Sequence, residues 1–211
     1  MKTIIITLIF TFFITCVSFA QPTEGTYVVG GHANFGYSKP QSDLVKSQRT
    51  NFTISPSIGK FISEKYQIAF GLGYSHSNRK EEMSSGSYFK QTAHSFSIRF
   101  ATTRYFPIAD KLYFTLEAAI IPSYDVNFSK TEYIGVENKS NNISARLNIS
   151  PGLTYFINKK WILYSSIGVL WYDATYNTET KLTGHEIQTS LSPNSFGLGA
   201  RYIIGAKTKT D

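Results

Sequence analysis

The sequence predicts an all-β protein, an eight-stranded antiparallel up-and-down transmembrane β-barrel. Three observations predict this fold class. Eight stretches of the 211-residue chain alternate bulky apolar residues with small or polar ones, the connections between them alternate short and long, and aromatic residues gather near both ends of the stretches. Alternation with a period of two is the pattern of β-strands, whose successive side chains point to opposite faces.

The alternation is clearest over residues 112–126. One face carries Leu112, Phe114, Leu116, Ala118, Ile120, Pro122, Tyr124 and Val126, and the other carries Tyr113, Thr115, Glu117, Ala119, Ile121, Ser123 and Asp125. The interior of an eight-stranded barrel is only just wide enough for side chains. We therefore expect the crowded apolar face outside and the smaller, more polar face inside. A barrel with apolar residues outside requires lipid as its surroundings.

The order of the elements also favours a membrane barrel. Strands are predicted over residues 26–38, 51–62, 66–77, 92–106, 111–128, 142–157, 161–175 and 192–205. Tight turns connect them at 63–65, 107–110 and 158–160, and long polar loops connect them at 39–50, 78–91, 129–141 and 176–191. Short periplasmic turns and long external loops are typical of outer-membrane barrels.

Aromatic residues on the bulky face form two predicted belts. Near the long loops lie Tyr37, Phe52, Tyr74, Phe96, Tyr124, Trp171 and Phe196, and near the short turns lie Tyr66, Phe106, Tyr155, Trp161 and Tyr202. Mostly aliphatic residues lie between the belts: Val29, Ala33, Ile54, Ile58, Phe70, Leu72, Leu147, Ile149, Ile167 and Val169. Membrane proteins place aromatic rings at both interfaces. A soluble lipocalin-like barrel, the alternative, would have to reverse the two faces.

The N-terminus predicts export. Lys2 precedes an apolar run over residues 4–14, and small residues at Ser18 and Ala20 precede Gln21. This is the pattern of a signal peptide, so we divide the chain into a cleaved signal peptide, 1–20, and a barrel domain, 21–211. A membrane anchor would need roughly 20 apolar residues. The residues before Cys16 match a lipoprotein signal poorly. The predicted location is the outer membrane of a Gram-negative bacterium.

Composition limits the chemistry. The single cysteine falls within the predicted signal peptide, so the mature chain has neither a disulfide nor a cysteine metal ligand. The formal charge of +7 is spread over loops and tail without the basic, aromatic-interleaved run of a nucleic-acid site. It indicates a solvated surface or, alternatively, attraction to anionic headgroups. The expected partners are outer-membrane lipid, lipopolysaccharide and the barrel-assembly machinery, with no nucleic acid, and the expected state is a monomer.

The predicted inner face carries most of the charge within the barrel. Its charged residues are Arg99, Glu117, Asp125, Arg146 and Arg201, with the polar residues His32, Asn34, Gln67 and Asn148 nearby. Arg99 and Glu117 lie at similar distances from the turn at 107–110, so we expect them to pair, because desolvated charges need a partner. We predict that these charges and their hydrogen bonds fill most of a narrow, non-conducting bore. The alternative is a selective constriction.

No catalytic motif is found. His32, His76, His94 and His185 have no nucleophile elbow or paired metal ligand near them in the sequence, although Glu186 follows His185. Gly71-Leu-Gly73 and Gly197-Leu-Gly199 lie on strands instead of opening helices, so a nucleotide site is not indicated. We predict that the protein is not an enzyme and has no catalytic residues, metal ligands or cofactor. The residues that bind a ligand are not predicted.

Three segments resemble a known family. Ser55-Pro-Ser-Ile-Gly-Lys-Phe-Ile-Ser63, Phe70-Gly-Leu-Gly-Tyr74 and Ser195-Phe-Gly-Leu-Gly-Ala-Arg-Tyr202 resemble strand segments of the small outer-membrane β-barrel proteins of Bacteroidetes type, the OmpX/OmpW-like barrels. The resemblance implies a barrel and no shared catalytic residues. The expected role is structural or surface-interacting through long external loops. The alternatives are a small porin-like channel, an accessory of secretion or envelope assembly, and a lipid-A-modifying enzyme.

Overall fold

The computed structural model describes residues 24–40, 42, 45–83, 88–131, 136–190 and 197–205. The predicted signal peptide therefore lies outside the described residues. Within them the chain forms ten strands: β1 Tyr27–Ser38, β2 Val45–Ser63, β3 Tyr66–Met83, β4 Tyr88–Ala109, β5 Leu112–Thr131, β6 Val136–Phe156, β7 Trp161–Ser166, β8 Val169–Asn177, β9 Thr183–Ser190 and β10 Gly197–Ile204. In this described part there is no helix long and apolar enough to cross a membrane.

The strands form one antiparallel sheet that closes into a ring. From β1 to β7 each strand pairs with the next along the chain, and β10 pairs with both β7 and β1. The predicted antiparallel up-and-down sheet is confirmed. The three tight connections and the β1–β10 junction lie at one end of the ring, which we call the short-turn end. The opposite end is the hairpin end.

The prediction of eight strands is wrong in number, because the structure has ten. The predicted strand 161–175 is divided into β7 and β8 at Ile167 and Gly168, and the predicted loop 176–191 contains β9. Both β7 and β8 pair with β6, one after the other. Together they occupy one strand position around the ring, which we call a path. The eighth path is likewise shared by β9, which pairs with β8, and β10, which pairs with β7.

The division at Ile167 and Gly168 is a bulge that reverses the faces of β8. Gly152 lies opposite Ser166 and Ile149 lies opposite Leu170, which leaves one extra residue on the β7–β8 side. An extra residue shifts the period-two pattern by one and turns every later side chain to the other face. Trp171 and Val169, both predicted to face outward, therefore face inward.

The strands continue well into the predicted loops. Pairing of β3 with β4 runs on from Ser75 opposite Ser95 to Glu82 opposite Tyr88. At about 3.3 Å per residue, this arm extends about 25 Å beyond the loop-side aromatic belt. The sequence prediction ended these strands too early because it followed apolar alternation. Alternation stops where both faces of a strand carry polar residues, whereas backbone pairing continues there.

The ring is incomplete at the hairpin end. Within the described residues, β9 pairs only with β8, and beyond Val29 the strand β1 pairs only with β2. The large apolar side chains with the highest exposure flank this opening: Ile187 at 73%, Phe35 at 72%, Leu198 at 72% and Leu182 at 67%. The inner-face residues His32 and Asn34 of β1 are exposed there. The inside of the ring is thus open to solvent at this end.

Close backbone approach at Gly152 leads to a stability prediction. A Cβ atom at Gly152 would lie 2.3 Å from the backbone oxygen of Ser165, whereas one at Gly184 would have nothing within 4 Å. Because the backbone of β7 must move, Gly152→Ala is expected to lower the free energy of unfolding by about 1–3 kcal/mol. Urea titration of the folded protein measures the change. Gly184→Ala is the matched control, and an equal effect of the two changes would contradict the prediction.

Candidate functional site

The apolar end of the bore is the first part of the site. At the short-turn end seven buried inner-face residues pack together: Val28, Phe61, Tyr105, Tyr113, Phe156, Ile162 and Ile203. We call this cluster the apolar plug. Ring centroids are 5.2 Å apart for Phe61 and Tyr105 and 5.3 Å apart for Tyr113 and Phe156. Phe156 is fully shielded from solvent, at 0% exposure. These side chains fill the bore at this level.

The apolar plug corrects one expectation from the sequence. The inner face was expected to hold mainly small side chains, because an eight-stranded interior is narrow. Four aromatic rings, those of Phe61, Tyr105, Tyr113 and Phe156, nevertheless pack together inside the ring at the short-turn end. One polar contact completes the packing: the hydroxyl of Tyr105 donates a hydrogen bond to Oε1 of Gln67 at 2.7 Å.

A charged cluster lies next to the apolar plug inside the ring. Arg99 forms the predicted ion pair with Glu117, which is confirmed. Nη2 of Arg201 lies 3.7 Å from the other carboxylate oxygen of Glu117, and the Arg201 guanidinium lies 4.2 Å from the ring centroid of Tyr164. One carboxylate therefore serves two guanidiniums, and these three side chains are 18–28% exposed.

Towards the hairpin end, the inner face carries small polar side chains linked across strands. Thr53 contacts Ser75 at 3.1 Å, and Ser123 contacts Ser144 at 2.6 Å. Asp125 lies beside a cavity of about 190 Å³ lined by Ser75, Ser77, Ala93, His94, Ser95, Asp125, Asn127 and Asn142. This region is lined mainly by hydroxyl, amide and carboxylate groups, which can donate or accept hydrogen bonds.

A second ion pair lies on the inner face where β6 meets β8. Nε of Arg146 donates to Oδ1 of Asp173 at 2.8 Å, and the Arg146 guanidinium lies 6.0 Å from the ring centroid of Trp171. Arg146 was predicted as an inner charge, but the roles of Asp173 and Trp171 were missed. The only sequence signal was Gly168, since glycine in a strand often marks a bulge.

Three of the four histidines contact the ring of a residue on a neighbouring strand. His76 and His94 lie opposite each other on the outer face, with ring centroids 4.8 Å apart, and the hydroxyl of Tyr74 lies 3.0 Å from Nδ1 of His94. His185 stacks on Tyr172 of the neighbouring strand at 6.0 Å. No group of three or more His, Cys, Asp or Glu residues able to hold a metal ion occurs in the described part of the chain.

Two carboxylates at the hairpin end are held ionised by their neighbours. A hydrogen bond from the side chain of Lys130 lowers the pKa of Glu137 below its usual value. A hydrogen bond from the backbone N–H of Asn141 lowers the pKa of Glu179 in the same direction. Both carboxylates therefore stay ionised to a lower pH than an isolated glutamate does. Glu137 compensates part of the positive charge of Lys130.

Comparison with known proteins adds no family assignment. No protein-family model matches the chain, and no curated protein matches its sequence. The inside of the ring therefore provides the functional information. It contains an apolar plug, a charged cluster beside the plug, and a polar region that is open at the hairpin end.

Proposed function

We propose that the chain is an integral outer-membrane protein, an eight-stranded β-barrel in the sense of eight strand paths, with a filled bore. Its role is structural or surface-interacting, through hairpin arms that project outside the membrane. The observation that carries the proposal is the outer face of the ring, which is apolar and exposed. Supporting it are the ring closure and the apolar plug.

The exposed apolar side chains follow the ring on successive strands. Exposure is 45% at Ile54, 53% at Leu72 and 54% at Phe96. Others in the same band are Ile58, Ile68, Phe70, Ile98, Phe100, Ile120, Ile143, Leu147, Ile149 and Leu170. A soluble monomer rarely exposes one contiguous apolar patch of more than a few hundred Å². A band on this scale is expected where lipid is the surrounding solvent.

The aromatic residues at the edges of this band support a membrane location. Tyr66 and Tyr74 delimit the band on β3. Eight steps of about 3.3 Å between them give about 26 Å along the strand, which at a tilt of about 40° is a height of about 20 Å. The apolar band of an outer-membrane barrel is about 25 Å tall. Exposed aromatic residues on the outer face include Phe52, Phe96 and Tyr124 near the hairpins and Tyr155, Trp161 and Tyr202 near the short turns. Phe196 lies outside the described residues.

The alternatives make different predictions. A small channel requires an open path, and the apolar plug is evidence against one. A lipid-A-modifying enzyme requires an activated nucleophile or a metal, whereas His94 and His185 contact tyrosine hydroxyls and His76 packs against His94. Unchanged lipid A mass spectra after expression of the protein would exclude the enzyme. Single-channel recording tests the channel.

Spin labels on adjacent residues test the membrane orientation. Leu147 and Phe114 lie on the outer face, and Asn148 and Thr115 follow them on the inner face. After reconstitution, labels at Leu147 and Phe114 are expected to be accessible to oxygen and not to a water-soluble nickel complex, because they contact acyl chains. A label at Lys80, on a hairpin arm, is the aqueous control.

The proposal would be overturned if labels at Leu147 and Phe114 were in contact with water. Labels at Asn148 and Thr115 would then be the ones in contact with lipid. A faster-migrating band in unboiled membrane samples on a gel is the second expected result, because closed barrels resist unfolding by detergent. Loss of that band at room temperature would count against ring closure in the membrane.

A further inference from the structure

Three lysines lie in one row across the hairpin arms. Lys80 lies directly opposite Lys90, and Lys90 lies directly opposite Lys130. The row therefore crosses β3, β4 and β5 on one face of the sheet. This is the outer face, because Lys80 is an even number of residues from Tyr74 along β3. We call these three residues the lysine row.

The lysine row concentrates positive charge. Neighbouring strands are about 4.8 Å apart, and like charges directly opposite one another destabilise a sheet. One end of the row continues to Gln48 and the other to Glu137, whose carboxylate lies 2.6 Å from Nζ of Lys130. Among the described residues, the other charged ones on this face of the arms are Lys46, Glu82 and Lys139. Five lysines thus face two glutamates in the described part of this face.

Repulsion between the neighbouring lysines destabilises the sheet when nothing is bound. A bound anion would offset that repulsion. We infer that the lysine row binds the phosphate groups of lipopolysaccharide in the leaflet around the barrel; this inference rests on the proposed outer-membrane location. The row is six residues beyond Tyr74, or about 20 Å along the strand. That distance is beyond the apolar band, at the level of sugar headgroups instead of acyl chains.

The geometry of the row fits a ligand with more than one negative charge. Three ammonium groups on adjacent strands extend across about 10 Å, which is the scale of two phosphates on one sugar headgroup. Lys80 and Lys130 are exposed and Lys90 is half-exposed, so the ligand can approach from the outer side. Each basic residue near an anionic lipid surface strengthens the binding of a protein to that surface about fivefold at physiological salt.

The test compares two variants of equal net charge. The first is Lys80→Gln, Lys90→Gln, Lys130→Gln. The control is Lys60→Gln, Lys65→Gln, Lys160→Gln, which removes three exposed lysines at the short-turn end. Binding of purified lipopolysaccharide to the full chain in detergent micelles is measured by titration, with the same lipopolysaccharide after removal of its phosphates as a second ligand.

The row variant is expected to bind lipopolysaccharide on the order of 30- to 100-fold more weakly than wild type. The control variant is expected to stay within about threefold, and Lys→Arg at all three row positions is expected to retain binding. Equal binding by the row variant and wild type, or equal binding of phosphate-free lipopolysaccharide, would overturn the inference. The faster-migrating gel band reports membrane folding separately, so failure of the proposed function is distinguishable.

Discussion

Replacement of Phe156 by alanine is expected to lower the free energy of unfolding by about 3–5 kcal/mol. Phe156 is fully buried, and its ring packs against Phe61, Tyr105 and Tyr113 within the apolar plug. Truncation removes the transfer free energy of the ring and leaves a cavity that rigid strands cannot collapse. Urea titration, followed by the fraction of faster-migrating protein on unboiled gels, measures the effect.

Tyr155→Ala provides the matched control for Phe156→Ala. Tyr155 is the adjacent residue on β6, but it faces outward and is 43% exposed. Its truncation removes an aromatic ring without opening the apolar plug, so the loss of stability is expected to be clearly smaller. A larger loss at Tyr155 than at Phe156 would show that the inner packing is not what holds this end of the ring together.

The apolar plug also leads to an expected result in planar bilayers. Wild-type protein is expected to give no conductance steps, because the plug fills the bore. The double variant Phe61→Ala, Phe156→Ala, once its folding is checked on gels, is expected to give them. Conductance of the wild type would contradict the filled bore directly, whether or not the double variant folds, and would support the channel alternative.

Glu117→Gln is expected to lower the free energy of unfolding by about 3 kcal/mol. The change leaves the partly buried guanidiniums of Arg99 and Arg201 without their shared carboxylate. Removal of one partner from a buried ion pair costs about 3–5 kcal/mol. The partial exposure of these side chains places the expected value at the lower end. Urea titration is again the measurement.

Glu137→Gln is the control for Glu117→Gln. It removes a carboxylate from an ion pair with Lys130 in which the side chains are 52% and 68% exposed, so solvent screens the interaction and little change is expected. The double variant Arg99→Met, Glu117→Gln should recover part of the loss, because one of the two uncompensated cations is gone. Absence of any recovery would contradict a direct Arg99–Glu117 interaction.

The inner ion pair shows how far the sequence could predict the site. Arg99 and Glu117 both lie on the inner face of strands that flank one tight turn, so period-two alternation and the turn position were enough to pair them. Arg201 comes from the far end of the chain. Its approach to the same carboxylate depends on closure of the ring between β10 and β1, which no local pattern reports.

Trp171 shows where the sequence prediction failed. Its bulk and its place in an alternating stretch indicated the outer face. One extra residue at Ile167 and Gly168 reverses the face and brings Trp171 to Arg146. The position of the bulge is decided by pairing with β6, a strand that ends 11 residues before Ile167 in the chain (167 − 156).

The amino-acid sequence by itself determined the presence of the strands, their antiparallel up-and-down order and the apolar outer face. Alternation and turn residues determine these features because they depend only on residues close together in the chain. The tertiary structure decided the division into ten strands, the length of the hairpin arms, the aromatic rings inside the bore and the alignment of Lys80, Lys90 and Lys130. Each of these depends on register between strands. Register is set by hydrogen bonds and packing between residues far apart in the chain.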